Sequence, residues 1–218
     1  MITVHHLEAS RSTRIVWLLE ELGVPYEVVR YARDPRTFLA PPALEAIHPL
    51  GKSPVVTDGD RTIAESGAIL EYLVDRYGEG KLVPEKGTPA YDRCRYFMHY
   101  AEGSLMPFLV MKLVCTKVKA APMPFFVKPI ARRIADSVGN TFIDPNLKRH
   151  LAFLGAHLDK HAWIAGDAMT IADIQMAFPI LAATTCAAEL GMPASIAAYA
   201  AKLLALPAYQ RGVAKAGA

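Results

Sequence analysis

A short polar, proline-containing stretch carries the residue types best suited to chemistry. It reads His48-Pro49-Leu50-Gly51-Lys52-Ser53-Pro54-Val55-Val56, and a Glu65-Ser66 pair follows it. Lys52 supplies a point charge, and the Glu-Ser pair stands where a helix is predicted to begin. Unpaired N–H groups and the positive end of the helix dipole favour a bound carboxylate there. The stretch predicts a groove for a small, anionic, peptide-like molecule; the alternative is an ordinary turn, hairpin and capped helix.

Two serines near the start of the chain are the second set of candidates. Ser10 and Ser12 lie just before a helical pattern, in Ala9-Ser10-Arg11-Ser12-Thr13-Arg14. A serine in such a place is first of all a helix N-cap. Ser10 has no nearby His or Asp signature of a hydrolase nucleophile, so hydrogen-bond donation to an anion is the more natural chemistry. Residues 1–93 contain no cysteine, which excludes dithiol and glutaredoxin-type redox chemistry.

Hydrophobic periodicity predicts a strand–helix–strand unit at the start of the chain. Residues 2–5 alternate weakly, as a strand does, and residues 26–29 predict a second strand. Between them lies a helix that ends at Gly23, as expected for a helix C-cap. A helical crossover of this length makes the two strands parallel. The apolar face of that helix consists of Ile15, Leu18, Leu19 and Leu22.

The next elements complete a recognisable layout. A turn-rich loop with a short helix is followed by a hairpin, in which residues 55–56 and 61–63 flank the Asp58-Gly59-Asp60 turn. The order βαβ, then α, ββ and α, is that of a thioredoxin-like domain. Such a domain has a proline before its third strand. A cis Ser53-Pro54 bond would turn the Ser53 backbone outward, where it can pair with an extended peptide ligand.

A Gly- and Pro-rich segment separates this unit from a helical one. We predict a first domain at residues 1–80, a linker at 81–88 and a second domain at 89–218. The predicted fold class is therefore an α/β thioredoxin-like N-terminal domain plus an all-α C-terminal helical bundle domain. The predicted helices of the second domain span 90–115 (one helix, or two joined at Pro107), 130–139, 145–160, 192–204 and 207–215, with another that starts at the Thr170-x-x-Asp173 capping signature.

Composition is typical of a soluble globular protein, with 52% hydrophobic and 21% charged residues. The longest uncharged run, 174–188, is shorter than the ~20 apolar residues of a membrane span, so it predicts a buried helix. The first residues show no signal-peptide pattern. Three widely spaced cysteines favour neither a disulfide framework nor a metal site, and they fit a reducing cytoplasm. We therefore predict a cytoplasmic location.

Charge is distributed unevenly along the chain. Residues 1–80 carry 8 Lys and Arg against 12 Asp and Glu, whereas the remainder carries 16 against 9. No acidic residue occurs between Glu102 and Asp136. Such a basic face would attract an acidic ligand or partner, but it is more often a solvated surface. Without aromatic residues interleaved in a basic motif, the sequence predicts no nucleic-acid partner, and it predicts no membrane partner.

The remaining candidate site residues are histidines and apolar side chains. His5 and His6 face opposite sides of a strand, so they cannot share one metal ion and are expected at a strand end or in the core. No other His set has metal-ligand spacing, and we predict no metal. Tyr100, Met106 and Met111 lie on a helical stretch. Either they pack in the core or they form a deformable apolar wall that faces the first domain.

With these residues assembled, the chain resembles a cytosolic glutathione S-transferase over nearly its whole length. Residues 48–55 resemble the family's N-P-x-G-x-x-P loop, with a His in place of the Asn. Residues 65–69 resemble its E-S-x-A-I motif, and residues 165–174 resemble the G-D-x-x-T-x-A-D capping box of its helical domain. The segments 5–12 and 100–107 are similar to a bacterial and fungal subgroup with a Ser-containing N-terminal loop. Three motifs in the right order and spacing make the match specific.

The resemblance implies that glutathione is the co-substrate and that it lies along the first domain. Ser53, which precedes Pro54, would pair through its backbone with the cysteinyl part. Glu65 and Ser66 would hold the γ-glutamyl end, and Lys52 would hold the glycine carboxylate. The presence of this complete set favours genuine glutathione binding.

The resemblance also implies a catalytic role for a serine of the N-terminal loop. A free thiol with a pKa of ~8.5 is only about 3% ionised at pH 7, and the thiolate is the nucleophile. Lowering that pKa by two units takes about 2.7 kcal/mol. A hydroxyl donor and a helix N-terminus, at about 1–2 kcal/mol each, would supply it. Ser10 matches this serine by position, while Ser12 or a backbone N–H are the alternatives.

The implied activity is conjugation of glutathione to a hydrophobic electrophile, or the related reduction of peroxides. The electrophile would enter between the domains, against the apolar helical wall. Two other functions remain open: a non-catalytic glutathione-binding or regulatory protein, and a glutathione-dependent disulfide reductase. Family members are usually homodimers, so a homodimer is expected here.

Overall fold

A four-stranded mixed sheet flanked by helices forms the N-terminal part of the computed structural model, which describes residues 1–217. The elements of this part are β1 (Ile2–Leu7), α1 (Thr13–Leu22), β2 (Tyr26–Tyr31), α2 (Pro42–Glu45), β3 (Val55–Asp58), β4 (Arg61–Ala64) and α3 (Ser66–Tyr77). The strand order is β2-β1-β3-β4; β1 runs parallel to β2 and antiparallel to β3, and β3 pairs antiparallel with β4. The thioredoxin-like layout predicted from the sequence is confirmed.

The rest of the described chain is helical, which confirms the predicted all-α domain. The helices are α4 (Pro89–Tyr100), α5 (Met106–Ala120), α6 (Lys128–Val138), α7 (Asp144–Leu158), α8 (Ile171–Cys186), α9 (Ala194–Leu204) and α10 (Pro207–Ala216). Two π-helical segments interrupt the longest runs: Ala101–Leu105 joins α4 to α5, and Gly139–Ile143 joins α6 to α7. The first junction ends just before Pro107, where the sequence allows two helices to join. A short 3-10 turn, Ala188–Leu190, follows α8.

Helix α1 is the element around which both domains pack. Ile15, Leu18 and Leu19 of its apolar face are fully buried and Leu22 is half-buried, and the helix contacts α3 of its own domain and α8 and α10 of the helical domain. Gly23 closes the helix in a left-handed conformation, with φ of 68°, and its N–H bonds to the Leu19 carbonyl. The predicted C-cap is therefore confirmed. Burial of each large apolar side chain on this face contributes about 1.5–3 kcal/mol before entropy losses.

Helix α8 forms the centre of the helical domain. Its N-terminus has the predicted capping box: the Thr170 hydroxyl accepts from the Ala172 N–H at 3.2 Å, and the Asp173 carboxylate accepts from the Thr170 N–H at 2.6 Å. Most of the helix is buried, as expected of an uncharged run too short to span a bilayer. Within residues 1–217, no helix has both the length and the apolar character needed to cross a membrane.

The C-terminal helix packs back onto the first domain, and one carboxylate there accepts several hydrogen bonds. Glu20 of α1 accepts hydrogen bonds from Lys215 at 2.6 Å, from Arg211 at 2.8 Å and from the Tyr26 hydroxyl at 2.6 Å. Close beside it, a Cβ at Gly212 would lie only 3.0 Å from the Trp17 backbone, so the helices approach at their closest there. Burial by itself raises the pKa of Glu20, but these hydrogen bonds outweigh it and lower that pKa to about 2.

Glu20→Gln is expected to lower the free energy of unfolding at pH 7 by about 2 kcal/mol. Because the folded-state pKa is depressed, this contribution is complete above the unfolded-state pKa of about 4.3. It is lost as the pH falls towards 2. The difference in urea-unfolding free energy between the parent and the variant should therefore shrink between pH 5 and pH 3. The exposed Glu27, changed to Gln, is the matched control and should cost less than about 0.5 kcal/mol. A difference that stays constant with pH contradicts the assignment.

Candidate active site

A cavity of about 210 Å³ lies where the predicted binding stretch meets the helical domain. All five residues predicted to bind glutathione line it. The Ser53-Pro54 peptide bond beside it is cis, as expected. The lining residues are Arg11, His48, Leu50, Lys52, Ser53, Pro54, Ala64, Glu65, Ser66 and Glu102.

The start of α3 forms one end of this cavity. Strand β4 ends at Ala64, and the chain turns directly into the helix at Glu65, whose φ is 72°. A positive φ is uncommon for a residue with a side chain, and such backbone outliers occur at ligand clamps. Ser66, the first residue of α3, is buried. Free N–H groups at the helix start, a hydroxyl and a carboxylate therefore lie together, which suits a group bearing both an ammonium and a carboxylate.

The cis-proline loop is attached to the end of β1 through the Ser53 side chain. The Ser53 hydroxyl donates to the His5 carbonyl at 2.8 Å. Its oxygen accepts from the Leu7 N–H at 3.3 Å and lies 3.4 Å from the Ser10 hydroxyl. Because its side chain is used in this way, the loop is held in place beside the serine-containing loop.

The structure brings both predicted serines together, but not in the expected positions. Helix α1 begins at Thr13, so Ser12 rather than Ser10 occupies the N-cap position, and the Ser12 side chain makes no capping hydrogen bond. The Ser12 hydroxyl lies 2.7 Å from the Ser10 hydroxyl and 2.8 Å from Nδ1 of His6. Ser10, half-buried, reaches the edge of the cavity through Ser53.

The two adjacent histidines lie in the core on opposite sides of β1, as predicted. Nδ1 of His5 bonds to the Tyr31 hydroxyl at 2.9 Å, whereas His6 bonds to Ser12. Burial lowers the pKa of His6, the Arg30 charge lowers it further, and Glu8 acts in the opposite direction. His6 is therefore neutral near pH 7.

An arginine–carboxylate network closes the cavity on the side of the helical domain. One oxygen of Glu102, in the first π-helical segment, accepts from Arg11 at 3.0 Å and from Arg14 at 2.7 Å. Arg14 also donates to Gln175 of α8 at 3.0 Å. Burial lowers the pKa of Arg14 to about 10 even though Glu102 raises it, so the guanidinium stays charged at neutral pH. This network joins α1 to two parts of the helical domain.

Arg11 is the cavity residue that sequence reasoning missed. It follows Ser10 directly in the sequence, and this position is the one feature of the sequence that could have identified it as a site residue. Its guanidinium lies 5.2 Å from the ring centre of Phe178, and the Arg14 guanidinium lies 5.3 Å from the same ring. Two guanidinium groups therefore lie close to the same aromatic ring where the domains meet.

The residues predicted to form the electrophile wall lie deeper in the helical domain. Tyr100 is buried and bonds through its hydroxyl to Nδ1 of His150 at 2.7 Å, within a cluster of aromatic rings. Met106 is buried, and Met111 is half-buried against the same core. None of the three is among the residues that line the cavity described above. Their role in electrophile binding stays a prediction.

The structure also locates the cysteines and the possible metal ligands. All three cysteines are free, and Cys94 is buried, which raises the pKa of its thiol. Across the described range 1–217, no three His, Cys, Asp or Glu side chains come together as a metal-ligand set.

Fold and site together define a class of protein. A thioredoxin-like domain holds a cis-proline loop and a helix N-terminus beside a small cavity with separate positive and negative groups. A helical domain closes that cavity from the other side. The class is that of two-domain proteins that bind a small zwitterionic peptide next to a hydroxyl cluster.

Comparison with known proteins identifies the family. The family models for the glutathione S-transferase N-terminal and C-terminal domains match residues 1–75 and 143–204. Glutathione S-transferase 3 of Schizosaccharomyces pombe is 42% identical over 184 residues, covering 84% of this chain and 74% of that protein. Glutathione S-transferase 1 of Saccharomyces cerevisiae is 35% identical over 187 residues, covering 83% and 80%. The chain belongs to the glutathione S-transferase family, whose co-substrate is glutathione.

Solved structures agree with this assignment. A glutathione S-transferase of Actinobacillus pleuropneumoniae matches with a TM-score of 0.80 and 31% identity, over 100% of this chain and 93% of that one. A sphingomonad glutathione S-transferase, solved in complex with glutathione, shares the fold with a TM-score of 0.70 at 22% identity, over 99% and 98%. The predicted two-part fold and the predicted enzyme class are confirmed.

Proposed function

We propose that this transferase activates the glutathione thiol through the Ser10 hydroxyl, which donates a hydrogen bond to the thiolate. The thiolate then attacks a hydrophobic electrophile that enters between the domains, in conjugation or in peroxide reduction. One observation carries the proposal: the Ser10 hydroxyl lies 3.4 Å from that of Ser53, the residue of the cis-proline loop. A cysteinyl group that pairs with the Ser53 backbone would have its sulfur within reach of Ser10.

Charge complementarity supports the orientation of glutathione along the first domain. The γ-glutamyl end carries an ammonium and a carboxylate, which match the Glu65 carboxylate and the Ser66 hydroxyl at the start of α3. The glycine carboxylate matches Lys52 at the other side of the same cavity. The glutathione held by the sphingomonad relative is consistent with a groove of this kind.

The energy that the proposal requires is modest. Lowering a thiol pKa by two units takes about 2.7 kcal/mol. A hydrogen bond to a charged group contributes about 1.5–3 kcal/mol, and the nearby start of α1 adds a fraction of a kcal/mol. Ser10 together with the helix would therefore make the bound thiol largely ionised at neutral pH.

The exposed surfaces of α5, α6 and the segment that joins them support a homodimer. Large apolar side chains there remain open to solvent, and in the joining segment Phe125 is 86% exposed and Phe126 is 64% exposed. Contiguous apolar patches of this kind mark interaction surfaces in soluble proteins. Analytical ultracentrifugation that reports the mass of a single chain at micromolar concentration would contradict a homodimer. Other exposed members of the patch are Leu113, Val114, Ile130 and Ile134.

The domain limits and the compartment are further parts of the proposal. Helix α3 ends at Tyr77 and α4 begins at Pro89, which supports a first domain at 1–80, a linker at 81–88 and a helical domain at 89–218. Three free cysteines support a reducing compartment, the cytoplasm.

The test of the catalytic proposal is a pH titration of the thiolate absorbance of bound glutathione. In the parent protein we expect a thiol pKa well below ~8.5, and in Ser10→Ala a rise of about one to two units. The kcat/KM for conjugation near pH 6.5 should fall about tenfold or more, since the ionised fraction falls. Glutathione affinity at high pH should change little. Thr185→Ala, exposed near the end of α8, is the matched control and should leave both values unchanged.

Two outcomes would contradict the proposal in different ways. A lowered pKa that persists in Ser10→Ala moves the donor role to Ser12 or to a backbone N–H. An unshifted pKa in the parent protein, with glutathione bound, favours the non-catalytic reading.

A further inference from the structure

An N-cap serine that does not cap its helix is the starting observation. A serine at this position ordinarily accepts a hydrogen bond from an N–H of the first turn, which stabilises the helix. Ser12 is fully buried and forgoes that bond. Its hydroxyl lies instead between Nδ1 of His6 and the hydroxyl of Ser10, at 2.8 and 2.7 Å. One of its hydrogen bonds therefore reaches the buried His6, and the other reaches Ser10, which neighbours the cavity residue Ser53.

These three side chains, His6, Ser12 and Ser10, form what we call the hydroxyl chain. Its outer end meets Ser53, whose own hydrogen is donated to the His5 carbonyl at 2.8 Å. The Ser53 oxygen is therefore an acceptor towards Ser10, and the distance between them, 3.4 Å, is long for a hydroxyl donor. A hydrogen held so weakly is free to turn to a stronger acceptor such as a thiolate.

The direction of the hydroxyl chain depends on one proton. If Nδ1 of His6 carries hydrogen, it donates to Ser12, Ser12 donates to Ser10, and the Ser10 hydrogen is left for the thiolate. In the other tautomer Nδ1 accepts from Ser12, and Ser12 then accepts the hydrogen of Ser10. The Ser10 hydroxyl would then have no hydrogen for a ligand, because a hydroxyl has a single one.

We propose that neutral His6, as its Nδ1–H tautomer, orients the hydroxyl chain so that Ser10 donates its hydrogen to the glutathione thiolate. This inference rests on the proposed role of Ser10. His6 and Ser12 act through Ser10 and are positioning residues. Successive donors polarise one another, so the chain also makes Ser10 a stronger donor than an isolated hydroxyl.

The surroundings of His6 favour orientation over proton storage. His6 is buried and pairs across the sheet with Arg30, so a positive charge on its ring would be disfavoured by burial and repelled by the guanidinium. The Glu8 carboxylate acts in the opposite direction. Burial and the Arg30 charge both disfavour the charged imidazolium, so in this proposal the thiol proton goes to solvent and not to His6.

The test extends the thiolate titration to variants of the hydroxyl chain. His6→Leu and Ser12→Ala should each raise the pKa of bound glutathione, so that the ionised fraction near that pKa falls about threefold. Glutathione affinity at high pH should stay within about twofold of the parent. His5→Leu is the matched control: it alters the neighbouring buried histidine of β1 but keeps the backbone carbonyl that holds Ser53, and it should leave the thiol pKa unchanged.

Two further measurements separate orientation from a merely structural role. His6→Asn places an amide N–H near the position of Nδ1 and cannot take up a proton at neutral pH, so it should restore a thiol pKa close to that of the parent. In the parent protein, ¹⁵N NMR of His6 should report hydrogen on Nδ1. The tautomer measurement and Ser12→Ala remain decisive if His6→Leu does not fold.

The outcomes distinguish failure of this inference from failure of the proposed function. Hydrogen on Nε2 of His6, or an unchanged thiol pKa in Ser12→Ala while Ser10→Ala raises it, overturns the hydroxyl chain and leaves Ser10 as the donor. An unchanged thiol pKa in Ser10→Ala overturns both.

Discussion

Asp173→Ala is expected to lower the free energy of unfolding by about 4 kcal/mol. The carboxylate is fully buried at the start of α8. It accepts from the Ile164 N–H at 2.7 Å, from the Thr170 N–H at 2.6 Å and from the Tyr199 hydroxyl. Alanine would leave these buried donors without an acceptor, and each orphaned group costs about 1–3 kcal/mol before relaxation. Urea denaturation followed by circular dichroism measures the loss.

A matched control lies in the same motif. Asp167 is exposed six residues earlier, and Asp167→Ala should change the free energy of unfolding by less than about 0.5 kcal/mol. A loss below about 1 kcal/mol for Asp173→Ala would show that the capping box is dispensable. Under conditions in which the variant is folded, its glutathione affinity should match that of the parent, because Asp173 does not line the cavity.

Glu65→Ala is expected to weaken glutathione binding about 30-fold, or about 2 kcal/mol. The carboxylate lines the cavity at the start of α3, and the proposed orientation gives it the γ-glutamyl ammonium as partner. Alanine is the better replacement than glycine because it keeps a side chain at the positive φ of this position. Isothermal titration calorimetry measures the dissociation constant.

The control for Glu65 combines a variant with a ligand. Glu71→Ala removes an exposed carboxylate further along α3 and should leave affinity unchanged. A glutathione analogue that lacks the α-amino group should bind the parent protein as weakly as glutathione binds Glu65→Ala. The analogue should lose nothing further in the variant. Equal losses for both ligands would show that Glu65 acts on the backbone of the loop and not on the ammonium.

The sequence by itself determined most of the elements and the stretch that we propose to bind glutathione. Helix α1 and its Gly23 C-cap, and the Thr170–Asp173 box, follow from contacts within a few residues, which periodicity and capping rules describe. The residues from Lys52 to Pro54, with Glu65 and Ser66, lie on one loop and the next helix. Because these five residues are close in sequence and joined by one hairpin, local structure was enough to place them all at the same cavity.

The tertiary structure decided which residues meet across elements. Arg11 and Glu102 are 91 positions apart in the sequence and share a hydrogen bond. Glu102 lies in a π-helical segment that the sequence did not predict; the sequence indicated only a possible break at Pro107. Helix α1 begins at Thr13, two residues later than it would if Ser10 were its N-cap. Ser12 therefore occupies the N-cap position, and its hydroxyl bonds to His6. Periodicity shows which face of an element is apolar. It does not show which neighbour covers that face, because that depends on how the elements pack in three dimensions. The sequence therefore left two environments open for Tyr100, the core or a wall facing the first domain. In the structure it packs in an aromatic cluster within the helical domain.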